Sequence, residues 1–166
     1  MSHLRVIVTG SRNYPCEDDV WEALAMALAE HCDPGDTFTV VHGACPTRAD
    51  AHAASWIRLP DGGSGVAIVE EPHPADWATC TPDCYHRPRE DGRCPAAGPR
   101  RNAEMVALGA DLVLAFPLAG DRKRSRGTYD CIDKAAAALL VVEIQTPSMM
   151  PRFTVGDIGE AVRDGR

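Results

Sequence analysis

The chain has 166 residues, 45% of them hydrophobic, which is enough for one sizeable core and leaves little length for a second domain. Its net charge of -7 counts against a non-specific nucleic-acid binder, because that mode needs a basic surface to neutralise many phosphates. No apolar run approaches the ~20 residues that span a bilayer, and residues 1–4 lead into a strand without an apolar signal core, so a soluble cytoplasmic protein with no membrane partner is expected.

In chain order, Val6, Ile7 and Val8 read as a strand that stops at Gly10-Ser11-Arg12. An acidic turn (Glu17, Asp18, Asp19) then opens a helix, with Val20, Leu24, Ala27 and Leu28 at helical spacing. Residues 37–41 form a second strand, His42-Gly43-Ala44 a second loop, and an Ala-rich helix runs to about Trp56. A third strand spans 66–70. Residues 72–98 are rich in Pro, Cys and Arg and carry no period, which marks an inserted loop. Pro99 suits the start of a third helix and Gly109 its end. Residues 111–116 read as a strand, 128–139 as a helix with Thr128 as its N-cap, and 140–144 as a fifth strand. Residues 146–166 are expected to be a tail, with a short helix near 155–162.

Strands alternating with helices imply an α/β, Rossmann-like three-layer sandwich: a mainly parallel sheet of about five strands with helices on both faces. One such domain is expected over residues 1–145. Ligands bind such sheets at the C-terminal ends of the strands, so the loops after each strand converge on one candidate site. Gly10 lets a ligand approach the backbone, while Ser11 and Arg12 can donate to an anion. In the second loop His42, Gly43 and Ala44 are candidate contacts. Asp50 either closes a capping box with Thr47 or directs its carboxylate at a ribose hydroxyl. Arg100 and Arg101 fall in a first helical turn, where positive charge opposes the helix dipole unless an anion is near. Gly127 and Thr128 offer a helix N-terminus to a phosphate. The run Arg122 to Arg124 reads as a charged surface loop.

The seven cysteines, an odd number in an ordinary composition, favour thiols or metal over a disulfide framework. Cys80, Cys84, His86 and Cys94 lie close together in the inserted loop, a soft donor set suited to a closed, structural zinc site, with His73 as an alternative ligand. A loop so poor in apolar residues cannot hold itself by core burial, and a metal supplies the missing cross-link. Cys16, Cys32, Cys45 and Cys131 are scattered and read as small buried residues.

Several of these motifs together resemble the SLOG superfamily, and within it the YspA-like branch, often found in actinobacteria and their phages. They are Val8-Thr9-Gly10-Ser11-Arg12, Val41-His42-Gly43-Ala44 with Asp50, His73-Pro74-Ala75-Asp76-Trp77, Gly98-Pro99-Arg100-Arg101-Asn102 with Met105, and Gly127-Thr128. The resemblance covers most of residues 5–144 and implies a nucleotide or nucleotide-derived small molecule on the loop edge, with Asn102 among its contacts. It also implies self-association, since homologous enzymes are often dimers or larger. LONELY GUY enzymes of this superfamily split an N-glycosidic bond with an arginine, matched here by Arg101, and a glutamate, whose position is Cys131. A thiol cannot replace that carboxylate, so a phosphoribohydrolase would have to use the neighbouring Asp130. Three functions follow: a nucleotide sensor or processing protein, an N-glycosidic hydrolase with Arg101 and Asp130 as catalytic residues, and a DprA-like binder of single-stranded DNA, against which the acidic charge counts.

Overall fold

The computed structural model describes residues 1–60, 62–87, 89–118 and 122–148. The elements are β1 (His3–Gly10), α1 (Glu17–His31), β2 (Thr37–His42), α2 (Ala49–Ile57), β3 (Ala67–Pro72), α3 (Ala97–Ala107), β4 (Leu112–Phe116), α4 (Arg126–Ala137) and β5 (Val141–Ile144). The five strands form a single sheet in the order β3-β2-β1-β4-β5, and every neighbouring pair is parallel. No described helix is long and apolar enough to cross a membrane.

Alternate side chains of a strand point to opposite faces, and β1 shows how both faces become core. Val6 and Val8 pack with Phe38, Val40, Leu112 and Leu114 under α1 and α2. Ile7 packs with Val41 and Val113 under α3 and α4. A strand covered on both sides reads as a continuous apolar run, hence Val6-Ile7-Val8 without alternation. Arg5 also ties sheet elements together: its Nε donates to Glu71 of β3 at 3.2 Å, reaching past β2.

From β1 the chain builds outward through β2 and β3, then crosses back to place β4 on the other side of β1. The loops after β1 and β4 therefore diverge and open a crevice at the C-terminal edge. Gly10 sits at this point, where an added Cβ would lie 2.2 Å from the Ala49 Cβ and 3.2 Å from that of Phe116. The small residues of α2 let it press this closely on the sheet, since Ala49, Ala53 and Ala54 are all buried.

Some boundaries differ from expectation. The irregular stretch spans 73–96 rather than 72–98, because Pro72 completes β3 and Ala97 and Gly98 are helical. Pro99 is then the third helical residue, still within the turn whose N–H groups have no intrahelical acceptor. Helix α4 begins at Arg126, so Thr128 is not its N-cap; Ser125 holds that position. Just before the expected tail, Gln145 N donates to Ala115 O at 2.8 Å, and within it Ser148 N donates to the Asp19 carboxylate at 3.0 Å. The short helix expected at 155–162 lies outside the described residues.

Candidate functional site

A cleft with two lobes lies at the crevice. The first, about 610 Å³, is lined by Ser11, Arg12, Trp77, Arg101, Asn102 and the start of α4, including Ser125, Gly127, Thr128 and Asp130. The second, about 470 Å³, is lined by the β2–α2 loop from Gly43 to Thr47, by Pro74 and Ala75, and by Arg93. Arg12, Trp77 and Arg101 belong to both lobes. Positive charge dominates: Lys123, Arg124 and Arg126 join the first lobe, and among the described residues Asp130 is its single carboxylate.

Arg101 is fixed by its surroundings. Its Nε donates to Asn102 Oδ1 at 3.0 Å and its Nη1 to the His73 carbonyl at 3.2 Å. The guanidinium lies directly on Gly43, where an added Cβ would come within 1.4 Å of Nη1. Asn102 in turn donates to Gly127 O at 3.0 Å and to Asp130 Oδ2 at 2.9 Å, which locks α3 to the first turn of α4. Lys134 holds the other Asp130 oxygen. No side chain caps α4, because the Ser125 hydroxyl accepts instead from Leu118 N at 2.9 Å. Thr128 is 2% exposed, and its buried hydroxyl has no hydrogen-bond partner among the described residues. An unsatisfied buried hydroxyl costs roughly 1–3 kcal/mol, which a ligand acceptor would recover.

The β2–α2 loop is held in an unusual shape. Ala44 and Arg48 have φ of 51° and 60°, a region that costs non-glycine residues on the order of 1–3 kcal/mol each. Two buried groups maintain it. Asp50 accepts from Cys45 N at 3.0 Å, and His42 accepts through Nδ1 from Ala44 N at 3.1 Å while its Nε2 pairs with Glu70 at 3.1 Å. Burial pushes the Asp50 carboxyl up, against the Cys45 N–H and the Arg101 guanidinium, which draw it down. Neither His42 nor Asp50 is among the residues lining the two lobes. These side chains are turned into the loop they shape. Asp50 makes no capping box either, since Arg48 occupies the N-cap position without a side-chain bond. Gly10 allows the close packing of α2 on the sheet.

Beside the cleft, Cys80, Cys84, His86 and Cys94 bring four ligand atoms within 4.8 Å of one another, so the group can hold a metal ion. The Cys84 and Cys94 sulfurs are 3.5 Å apart, and His86 Nε2 lies 3.5 Å from Cys80 and 3.4 Å from Cys94. A tetrahedron with ~2.3 Å metal–sulfur bonds has edges of roughly 3.8 Å, close to these separations. His86 Nδ1 donates to Arg87 O at 2.9 Å, which turns the Nε2 lone pair toward the sulfurs. His73 is not the fourth ligand, because it pairs with Glu71 at 2.7 Å.

Arg100 reaches into this cluster. Its Nη1 donates to Cys84 Sγ at 3.0 Å and to Cys94 Sγ at 3.5 Å, and its Nη2 to Thr79 O at 2.8 Å. Burial pushes the Cys94 thiol up, but the Arg100 guanidinium and the neighbouring donors outweigh it and bring the group down to about 6. The anion that excuses a positive charge at this helix start is therefore a thiolate. Cys131, at the position of the enzymes' glutamate, is buried, and burial drives its thiol up to about 11.

Sequence reasoning missed the residue that links the two sites. Trp77 enters both lobes, with the Arg12 guanidinium 5.6 Å and that of Arg93 4.6 Å from its ring centroid. Cys94 N donates to its carbonyl at 2.8 Å. The available signal was a tryptophan in a segment with no apolar period, which has no core of its own to enter. Arg93, Lys123, Arg124 and Arg126 were also missed as lining residues. Arg122 instead lies over Tyr129, 4.5 Å from the ring centroid, and pairs with Asp133 at 3.0 Å.

A model of the YspA, cpYpsA-related SLOG family matches residues 4–79, from β1 to just beyond Trp77. The chain is similar to the Gene 61 protein of Mycobacterium phage D29, at 37% identity over 135 residues that make up 81% of this chain and 90% of the relative. No solved structure matches significantly.

Proposed function

Because this chain belongs to the YspA, cpYpsA-related SLOG family, we propose that it binds a nucleotide or nucleotide-derived ligand in the two-lobed cleft, with a structural zinc ion stapling the loop that carries Trp77. The observation that carries this reading is the first turn of α4, which lines the cleft without a side-chain cap and brings with it a buried Thr128 hydroxyl lacking a partner. Uncapped N–H groups and a helix dipole attract a phosphate, and the cations around them add charge-assisted donors. Thermal denaturation with and without adenosine and guanosine monophosphates tests it. A rise in midpoint, lost in Arg101→Ala, is expected; no shift with any nucleotide overturns the reading.

Zinc follows from the donor set. Three thiolates and one imidazole select a soft or borderline ion in tetrahedral geometry and leave no open coordination position. Metal analysis of freshly purified protein is expected to find about one zinc per chain, and far less in Cys80→Ser and Cys94→Ser. Near-zero zinc in all three ends that part of the proposal.

Asp130 favours one second reading, an N-glycosidic hydrolase. It is the carboxylate that faces the first lobe, held by Asn102 and Lys134. A glycosidic cleavage needs such a group near the anomeric carbon. Ribose 5-phosphate release from a nucleoside monophosphate, abolished in Asp130→Asn, would establish turnover; binding without release leaves a sensor.

A further inference from the structure

We infer that the ligand of this cleft is two-ended, a pair of nucleoside-sized groups joined through a diphosphate, rather than a mononucleotide. The inference rests on the nucleotide reading above and goes beyond it to the ligand's architecture. Small-molecule pockets run to roughly 300–1,000 Å³, so lobes of about 610 and 470 Å³ are each large enough for a nucleoside by itself. Each lobe also has its own apolar wall. Pro95, Gly98 and Pro99 line the first, and Pro46, Pro74 and Ala75 the second. A ring can rest against either.

What joins the lobes is cationic. Arg12 and Arg101 line both, so an anionic group at the boundary is reached by two guanidinium forks whichever lobe it is approached from. A diphosphate suits that position, since it carries charge in its middle and lets the chain continue on both sides. Trp77 stands at the same boundary with its indole already close to the Arg12 and Arg93 guanidiniums. A mononucleotide would put its phosphate at the boundary or at α4 and leave one apolar wall against water.

The test uses the full chain with its metal retained and measures affinity by calorimetry for four probes: adenosine and guanosine monophosphates, diadenosine diphosphate and diguanosine diphosphate. At least one two-ended probe is expected to bind tenfold or more tightly than its monophosphate. Filling the second lobe with Ala75→Trp, or independently with the exposed Thr47→Trp, is expected to abolish that advantage. If neither two-ended probe binds tenfold more tightly than its monophosphate, the inference falls and the nucleotide reading stays intact. If lobe-filling leaves the advantage unchanged, the second lobe is not used and the inference falls. Absence of binding by all four overturns both.

Discussion

Gly43 has no space for a side chain, because the position its Cβ would take is already filled by the Arg101 guanidinium. Gly43→Ala is therefore expected to keep the fold and displace the arginine. Its unliganded melting midpoint should stay within a few degrees of wild type, while the nucleotide-induced rise disappears. The two neighbouring arginines make a sharper pair. Arg100 donates to cysteine sulfurs and Arg101 to the His73 carbonyl in the cleft, so their alanine variants should fail in opposite assays. Arg100→Ala is expected to lose zinc faster to a chelator and retain nucleotide binding to a larger degree, and Arg101→Ala the reverse. Sequence reasoning recognised that two positive charges at a helix start need an anion. It could not divide them between two anions, because adjacent helical positions differ by about 100° and the loop's path decides what each one meets.

At the scale of elements, α3 and the irregular stretch before it behave as one unit. Ala97 N donates to Cys94 O at 3.1 Å, so the last metal ligand leads directly into the helix. Apart from Cys94 the stretch buries little, and its arginines and prolines are mostly exposed. With so little apolar burial, its order should depend on the metal. Chelation is expected to leave far-ultraviolet circular dichroism almost unchanged while tryptic cleavage after Arg89 or Arg93 accelerates several-fold. Equal cleavage rates with and without chelator would count against the staple. The type and sequence of every strand and helix in the sheet were legible because their apolar periods are strong. The boundaries were less so: Thr128 looks like an N-cap because it follows a glycine, yet α4 starts at Arg126, and the Ser125 hydroxyl is spent on the β4 loop.

For the molecule as a whole, the alternation of strands and helices announced a parallel sheet, whereas strand order had to come from long-range packing. The convergence of Ser11, Gly43, Arg101 and Gly127 on one rim follows from that order, with β1 and β4 adjacent. The contact between Arg5 and Glu71, which spans three strands, was not legible at all, since 66 positions separate its partners. It has a measurable consequence. The Arg5 guanidinium above all, helped by His73, holds the Glu71 carboxyl down at about 2 against an ordinary 4.5. A carboxylate depressed in the folded state stabilises the fold above its unfolded pKa, and that contribution is lost as pH falls through the folded value. Urea midpoints for wild type and Glu71→Gln should therefore differ most above about pH 4.5 and converge toward pH 2. A gap that stays constant across that window would assign the effect to packing instead.

The division of labour between Arg100 and Arg101 also constrains how the lineage can drift. A descendant that gave up its metal would no longer need a guanidinium beside the sulfurs, so substitutions at positions 80, 84, 86, 94 and 100 should appear and vanish together. Position 101 answers to the cleft and should stay arginine in such descendants, so that the double-arginine signature decays by its first letter alone.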